Sequence, residues 1–316
     1  MKNRKQLLRK LLITAGILLV LMNIMAAFHA WKFTHFDPAA DIKPKEAANM
    51  PLLKKAQLLF TGVSLPRPQN QVRPTIPFET VTLNGDKQIV CWWLKTHGAA
   101  GTVVMCHGYG SSKASMLDRA YALVAMGYQV FLPDFMGAGA SEGNQCTIGY
   151  KEAGQVKACV DYLSRQGEHH IILFGTSMGA AAVMKATADH TLPVKALLIE
   201  CPFGSMRQTV KNRFAMMKVP AFPMSDLLVF WGGLENGFNA FRHNPEEYAR
   251  RIKIPVLLLY GEKDDRVTRQ EIDNIYNNLA GPKTLVTYPL AGHESYLSDY
   301  AVKWEEDVST FLNTVR

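Results

Sequence analysis

From residue 102 onward, short apolar β-runs alternate with stretches of helical periodicity. The runs are TVVMC, YQVFL, IILFG, KALLIE, PVLLLYG and TLVTYP. Each is largely apolar throughout rather than alternating, which is typical of strands buried on both faces. The alternation of such strands with helices predicts an α/β fold built on a mostly parallel, doubly wound sheet.

An antiparallel hairpin is expected before the parallel strands. The stretch PFETVTLNGDKQIVCWWL contains two β-rich runs that meet at Asn84-Gly85, a dipeptide that favours a type I′ turn. In parallel sheets of this kind, reacting and binding groups gather at the carboxyl ends of the strands. A functional site is therefore expected where the strands end.

The strand IILF ends in Gly175-Thr176-Ser177-Met178-Gly179, after which an alanine-rich helix begins. This is the G-x-S-x-G pattern of a nucleophile elbow, a sharp strand-to-helix turn that exposes the serine hydroxyl at the top of the sheet. Gly175 and Gly179 are expected where the two backbones approach too closely for a Cβ atom. The pattern is common by itself, so it predicts a nucleophile only if its chemical partners follow in order.

A serine hydroxyl needs an adjacent base to act as a nucleophile, and in this type of fold an acid and then a histidine follow it in the chain. Asp264 comes just after the strand PVLLLY, and His293 just after TLVTYP. We expect His293 to take the proton of Ser177 and Asp264 to orient the imidazole. Asp265, beside Asp264, and Glu200, at the end of KALLIE, are alternative acids.

The loop His107-Gly108-Tyr109-Gly110 follows the first parallel strand. Its glycines, Gly108 and Gly110, allow backbone amides to approach a substrate. One oxyanion donor of this type of site comes from a loop in this place, and the other is the amide after the nucleophile. We therefore expect the amides of Tyr109 and Met178 to form an oxyanion hole, with His107 bracing the loop.

Residues 1–10 are basic, and residues 11–31 carry no charge over about the length that crosses a bilayer as a helix. Basic residues are denser before this run than after it, which predicts a cytoplasmic N-terminus, a transmembrane signal-anchor and a translocated catalytic domain. A cleaved signal peptide followed by secretion is the alternative, because Ala26, Ala27 and Ala30 supply small residues near the end of the run.

Residues 32–76 are expected to form a juxtamembrane connector, and residues 77–316 the main domain. Prolines punctuate the connector, and its apolar patch PLLKKAQLLF is expected to pack on the domain or lie on the membrane.

The net charge of +8 does not indicate a nucleic-acid partner. Five positive charges lie in the first ten residues, which leaves +3 for the rest of the chain and no sustained basic stripe. The five cysteines have no metal-ligand spacing and are expected to be buried thiols. No metal site is therefore expected.

The segments HGYGSS, DFMGAGASEG, GTSMG, GEKDDRV and AGHESY occur in this order between residue 78 and the end of the chain. They resemble the serine-hydrolase branch of the α/β-hydrolase superfamily. With the N-terminal apolar run, the chain is most similar to membrane-anchored bud-emergence-type (ABHD-like) hydrolases and related bacterial esterases. The resemblance implies ester or thioester hydrolysis without a metal or cofactor. Met136 stands where arginine is usual, a departure that concerns loop bracing.

A short helical lid is expected at about residues 203–250, where the family inserts one. Four apolar side chains recur there at helical spacing, and they either roof the core or line an acyl groove: Met206, Val210, Phe214 and Met217. Three basic side chains lie off this stripe and face either solvent or anionic lipid headgroups: Arg207, Lys211 and Arg213.

Together these features predict a serine hydrolase that forms an acyl-enzyme with an ester or thioester, with an apolar acyl group favoured. Its expected partners are a lipid-like or other small acyl substrate and, through the N-terminal helix, a membrane; the oligomeric state is left open. A serine peptidase of the aminopeptidase type is one alternative. A non-catalytic binding protein on the same fold is the other.

Overall fold

The computed structural model describes residues 2–40, 57 and 60–316. The strands are β1 (Glu79–Leu83), β2 (Ile89–Leu94), β3 (Thr102–Cys106), β4 (Gln129–Pro133), β5 (Ile171–Thr176), β6 (Val194–Glu200), β7 (Val256–Gly261) and β8 (Lys283–Tyr288). The α-helices are α1 (Lys2–Thr34), α2 (Leu117–Ala125), α3 (Glu152–Arg165), α4 (Met178–Asp189), α5 (Met206–Met216), α6 (Met224–Glu235), α7 (Pro245–Ala249), α8 (Arg269–Asn278), α9 (Tyr296–Asp299) and α10 (Ala301–Thr314).

The eight strands form a single sheet in the order β1-β2-β4-β3-β5-β6-β7-β8. Strand β2 pairs antiparallel with both β1 and β4, and every later pairing is parallel. The predicted mostly parallel sheet with an antiparallel start is therefore confirmed. Strands β3, β5 and β6 lie in its interior, and their side chains are almost all buried.

The turn of the β1–β2 hairpin differs from the prediction. The register pairs Leu83 with Ile89, so the connection contains five residues rather than two. Neither Asn84 nor Gly85 has a positive φ, which a type I′ turn requires at both central positions. Contacts from elsewhere in the chain shape this loop, because the carboxylate of Glu142 accepts a hydrogen bond from the amide of Gln88 at 3.0 Å.

Helices cover both faces of the sheet, and each layer has its own apolar core. Helices α3, α4, α7 and α8 supply buried side chains on one face. Helices α2, α9 and α10 supply them on the other. Because helices cover both faces, the accessible part of the sheet is its edge, and the carboxyl ends of the parallel strands β3 to β8 share one such edge.

The second half of helix α1 packs against the rest of the protein. Residues 4–21 are exposed on every side, but the following turns pack against α6, and Ala26 and Ala30 are buried there. The indole N–H of Trp231 donates to the side-chain oxygen of Asn23 at 3.2 Å. Small residues allow two helices to approach closely, and a Cβ on Gly232 would lie 3.9 Å from the Cβ of Ala30.

The described residues of the predicted connector pack on the domain. The amide of Phe36 donates to the carbonyl of Asn144 at 2.7 Å, and the amide of Asp37 donates to the carbonyl of Leu65 at 2.8 Å. Phe36 is almost fully buried. The patch PLLKKAQLLF lies outside the described residues, apart from Gln57 and Phe60.

Candidate active site

Ser177 lies at the junction of β5 and α4 with φ 54° and ψ −111°, a strained conformation for a residue with a side chain. The flanking glycines permit this turn. A Cβ on Gly179 would lie 2.1 Å from the carbonyl oxygen of Cys106, and one on Gly175 would lie 2.4 Å from the carbonyl oxygen of Gly179. The predicted elbow geometry is therefore present, with Ser177 half-buried at the carboxyl end of β5.

The structure brings together the three side chains that the sequence singled out. The Nδ1–H of His293 donates to Oδ2 of Asp264 at 2.7 Å. This tautomer leaves Nε2 as the acceptor for the hydroxyl of Ser177, at 3.0 Å. The side chain of Asp264 is fully buried and that of His293 is 9% exposed. Both hydrogen bonds fall within the reach that proton transfer requires.

Backbone amides fix the orientation of Asp264. Its Oδ1 accepts from the amides of Arg266 at 2.8 Å and Val267 at 2.9 Å, which leaves Oδ2 directed at the histidine. Asp265, the adjacent alternative, is exposed and 4.0 Å from the Arg266 side chain. It does not cap α8 either, because Thr268 and Glu271 form the capping box of that helix.

Glu200, the other alternative acid, serves a different buried network. Its carboxylate accepts from Arg119 at 2.6 Å, from Thr176 Oγ1 at 3.0 Å and from the indole of Trp304 at 2.9 Å. Its backbone carbonyl accepts from the amide of Ser177 at 2.8 Å. A fully paired buried carboxylate of this kind supports the elbow from below.

The expected oxyanion loop lies against the elbow. A Cβ on Gly108 would lie 3.8 Å from the Cβ of Ser177, so the adjacent amide of Tyr109 is close to the nucleophile. Met178 is the first residue of α4, and the first amides of a helix have no acceptor within it. Gly110 has φ +67° and open space around it. These positions are compatible with the predicted donor pair.

His107 braces the loop. Its Nε2 accepts from the amide of Phe135 at 3.1 Å, and its Nδ1 lies 2.8 Å from the carbonyl oxygen of Gly108. Burial lowers the pKa of its imidazole, against the neighbouring charge of Asp134. The neutral ring therefore ties the oxyanion loop to the loop after β4.

The sequence did not indicate that α1 reaches this site. The hydroxyl of Tyr109 donates to the carbonyl oxygen of Phe33 at 2.5 Å. Its ring stacks on Phe33, with centroids 4.6 Å apart, and lies 5.8 Å from the ring of Phe36. The end of the N-terminal helix thus forms part of the wall beside the oxyanion loop.

A buried thiol also lies beside the imidazole. Sγ of Cys201 is 4.0 Å from Nε2 of His293, and Cys201 has φ 41° at the carboxyl end of β6. Burial lowers the pKa of His293, but Cys201 and then the hydrogen bond to Asp264 raise it, to about 10 in total. The buried carboxylate of Asp264 therefore favours the imidazolium that forms when Ser177 gives up its proton.

Cys201, Asp264 and His293 offer ligand atoms within 4.8 Å of one another. Both ring nitrogens of the histidine are already engaged, Nδ1 by Asp264 and Nε2 by Ser177. A metal ion would have to break one of these hydrogen bonds, so the donor set fits proton transfer better than metal coordination.

The expected lid consists of α5, α6, a short 3₁₀ turn and α7, between β6 and β7. Met206 and Phe214 are buried and Val210 packs on the core, whereas Met217 is 60% exposed. The apolar stripe therefore roofs the core at one end and faces outward at the other. Of the lid cations, Arg207 is paired with Asp226 at 2.6 Å.

Comparison with known proteins finds similar sequences and similar folds. A family model described as serine aminopeptidase, S33, matches residues 97–249. The uncharacterized protein YqkD of Bacillus subtilis is 24% identical over 223 residues, which cover 69% of this chain and 73% of that protein. The lysophosphatidylserine lipase ABHD12 of Danio rerio is 25% identical over 202 residues, covering 61% of this chain but only 51% of that protein.

Solved structures share the fold. The esterase Pf2001 of Pyrococcus furiosus superimposes with a TM-score of 0.65 at 22% sequence identity, over 80% of this chain and 99% of that one. The region matched by the family model includes β3, the elbow and the lid, and the shared fold extends over the sheet. The chain therefore has the α/β-hydrolase fold, and it is similar in sequence to the serine aminopeptidase (S33) family and to a lipase.

Proposed function

We propose that the protein is a serine hydrolase that cleaves an acyl ester or thioester through Ser177, His293 and Asp264. One observation carries the proposal: the continuous hydrogen-bonded chain from Ser177 Oγ through His293 to Asp264, with distances of 3.0 and 2.7 Å, mounted on a strained elbow. This combination supplies an activated nucleophile at an exposed position. The esterases and the lipase among the similar proteins favour the same reaction class.

In the proposed mechanism, Nε2 of His293 accepts the hydroxyl proton as Ser177 Oγ attacks the acyl carbon. The amides of Tyr109 and Met178 would donate to the carbonyl oxygen as it becomes negative. The imidazolium then protonates the leaving alcohol or thiol, and an acyl-enzyme forms. Water, deprotonated by the neutral imidazole, releases the acid and restores the serine. The buried carboxylate of Asp264 favours each imidazolium state.

An apolar acyl group is the favoured substrate, because aromatic side chains lie beside the expected oxyanion loop. Tyr109 forms an aromatic cluster with Phe33 and Phe36, and the lid between β6 and β7 is rich in methionine and aromatic residues. Adaptable methionine and aromatic surfaces of this kind suit acyl chains of varied shape.

The proposal is tested with the full-length protein in detergent micelles. We expect labelling by a fluorophosphonate and turnover of p-nitrophenyl esters, with Ser177→Ala abolishing both. Ser309→Ala is the matched control, because Ser309 is remote on α10 and only caps the carbonyl of Glu306. Activity that survives in Ser177→Ala contradicts the assignment of the nucleophile. An ester series from short to long acyl chains reports the acyl preference.

Two alternatives have distinct outcomes in the same assay. The family match described as a serine aminopeptidase favours a peptidase, which would release p-nitroaniline from aminoacyl amides faster than it cleaves esters. A binding protein on this fold would neither label nor turn over any substrate. The strained conformation of Ser177 argues against the binding protein, because strain at such a position usually accompanies function.

We also propose that α1 anchors the protein in a membrane, with the N-terminus in the cytoplasm and the catalytic domain on the other side. The helix is long and apolar enough to cross a bilayer, and its basic start supports the orientation. Cleavage near Ala26 or Ala30 would remove residues that pack on the lid, which favours an uncleaved anchor over a secreted form. The N-terminal sequence of the purified mature protein decides between them.

A further inference from the structure

The contact between α6 and α1 indicates at what depth α6 lies relative to a bilayer that α1 crosses. Helix α1 is continuous over 33 residues, about 50 Å at 1.5 Å per residue, whereas the hydrocarbon core of a bilayer is about 30 Å thick. The uncharged part of the helix, residues 11–31, fits that thickness. Its second half, from Asn23 to Ala30, is the part that contacts α6. A lid helix that touches this part of the span lies at the level of the membrane.

The contact between the two helices is apolar and incomplete. A crevice of about 700 Å³ separates them, lined on α1 by residues between Leu19 and Trp31 and on α6 by Trp231 and Glu235. Its lining is mostly apolar, with Asn23 and Glu235 as the polar members, and burial raises the pKa of Glu235 to about 7. A crevice with this lining resembles the space that lipid chains fill between helices more than a water-filled cleft.

The outward surface of the lid continues this apolar character. Phe222 is 78% exposed, Leu234 is 58% exposed and Phe230 is 48% exposed. Val219 and Met217, at the turn between α5 and α6, are also exposed, and Lys218 lies between them. Several large apolar side chains exposed within one short segment indicate an interaction surface. Apolar side chains with a basic neighbour suit a membrane interface.

The far end of α1 connects this surface to the reaction site. The carbonyl of Phe33, at the end of the span, accepts from the side chain of Tyr109, and Gly108 beside it lies against Ser177. The nucleophile is therefore close to the place where the chain leaves the membrane.

We propose that the lid segment from Met217 to Leu234 is inserted in the interface of a phospholipid bilayer beside α1, and that the acyl substrate enters the site directly from that bilayer. The second half of the proposal rests on the proposed function. The first half concerns only where the lid lies, so it holds or fails independently of catalysis.

The position of the lid is tested by depth-dependent quenching. The full-length protein is reconstituted in phosphatidylcholine vesicles with the fluorophore NBD on a single cysteine at Phe222→Cys. Val302→Cys is the matched control, because Val302 is a large apolar residue that is 81% exposed on α10, on another part of the domain. The native cysteines are all buried, so they compete little for the label.

We expect the probe at position 222 to emit at shorter wavelength and to be quenched by doxyl-labelled lipids several-fold more than the probe at 302. Equal, weak quenching at the two positions overturns the proposal.

The route by which the substrate enters is tested by placing a charged side chain in the lid segment. Phe222→Asp is expected to lower the turnover of a long-chain ester embedded in vesicles by about tenfold or more, because a charge there opposes insertion. Turnover of a short, water-soluble ester should stay unchanged, and Val302→Asp should alter neither. An equal loss on both esters, or no loss on either, contradicts entry from the bilayer. If the wild type cleaves neither ester, the proposed function fails, while the quenching result still decides the position of the lid.

Discussion

The backbone strain at Ser177 predicts that this residue limits the stability of the protein. With φ 54° and ψ −111°, it occupies a conformation that costs about 1–3 kcal/mol for a residue with a Cβ atom. Ser177→Ala keeps the Cβ and therefore keeps the strain. Ser177→Gly removes it. Both variants lose the hydrogen bond to His293, so that loss cancels when the two are compared.

The difference between the two variants can be worked out from these terms. Relief of about 1–3 kcal/mol is partly offset by the greater flexibility of glycine in the unfolded chain, about 0.5–1 kcal/mol. Ser177→Gly should therefore be more stable than Ser177→Ala by up to about 2.5 kcal/mol. At about 2 °C per kcal/mol for a chain of this size, its melting temperature should be higher by up to about 5 °C.

A matched pair at Ser112 provides the control. Ser112 has φ −134° and ψ 172°, an extended conformation without strain, so Ser112→Gly should be less stable than Ser112→Ala by about 0.4–1 kcal/mol. All four variants are unfolded thermally in the same detergent at the same scan rate. The expected result is a reversal of sign between the two positions. If glycine destabilises relative to alanine at both, Ser177 is not strained and the reasoning is wrong.

Three further predictions concern the site and its supports. The kcat/KM should rise with pH as His293 loses its proton, because only the neutral imidazole is a base. Cys201→Ser removes a neighbour that raises the pKa of His293, so the rise in kcat/KM should occur at lower pH in this variant. A pH profile that does not move contradicts this role of Cys201. Gly179→Ala places a Cβ 2.1 Å from a backbone oxygen and should lower the free energy of unfolding by about 1–3 kcal/mol or more. Gly154→Ala, with open space around the Cβ in α3, should raise it by about 0.5–1 kcal/mol. Thermal melts of both variants test this contrast. Phe36→Ala should destabilise by about 3–5 kcal/mol, because Phe36 is 3% exposed, and Phe33→Ala, at a position that is 44% exposed, should cost less in the same denaturation assay.

Much of the fold and of the candidate site was predictable because the signals are local. Continuous apolar runs of strand length read directly as buried strands, and they alternate with helices along the chain. The order of Ser177, Asp264 and His293 at three strand ends predicts that they lie at one edge of the sheet. Their distances agree with that placement, while their catalytic roles stay predictions until the variants are measured.

Other features depend on contacts between distant segments, which a single sequence does not encode locally. Asn84-Gly85 favours a tight turn, but Glu142 binds the backbone of the loop and a longer connection results. Cys201 directly follows β6 and gives no local sign of a role, and the order β6-β7-β8 in the sheet brings its Sγ within 4.0 Å of Nε2 of His293. In both cases tertiary contacts determine what local propensity leaves open.

The N-terminal helix shows the same limit most clearly. A run of uncharged residues predicts a membrane-spanning helix, but its hydropathy does not predict which face of that helix packs against another helix. In the sequence, Ala26 and Ala30 suggested only the alternative of a cleavage region, whereas the structure buries both alanines against α6. The same helix ends near Phe33, whose carbonyl and ring contact Tyr109, so the proposed anchor and the support of the expected oxyanion loop belong to one element. A chain shortened to remove α1 would lose those contacts with Tyr109, so activity should be measured on the protein with α1 present.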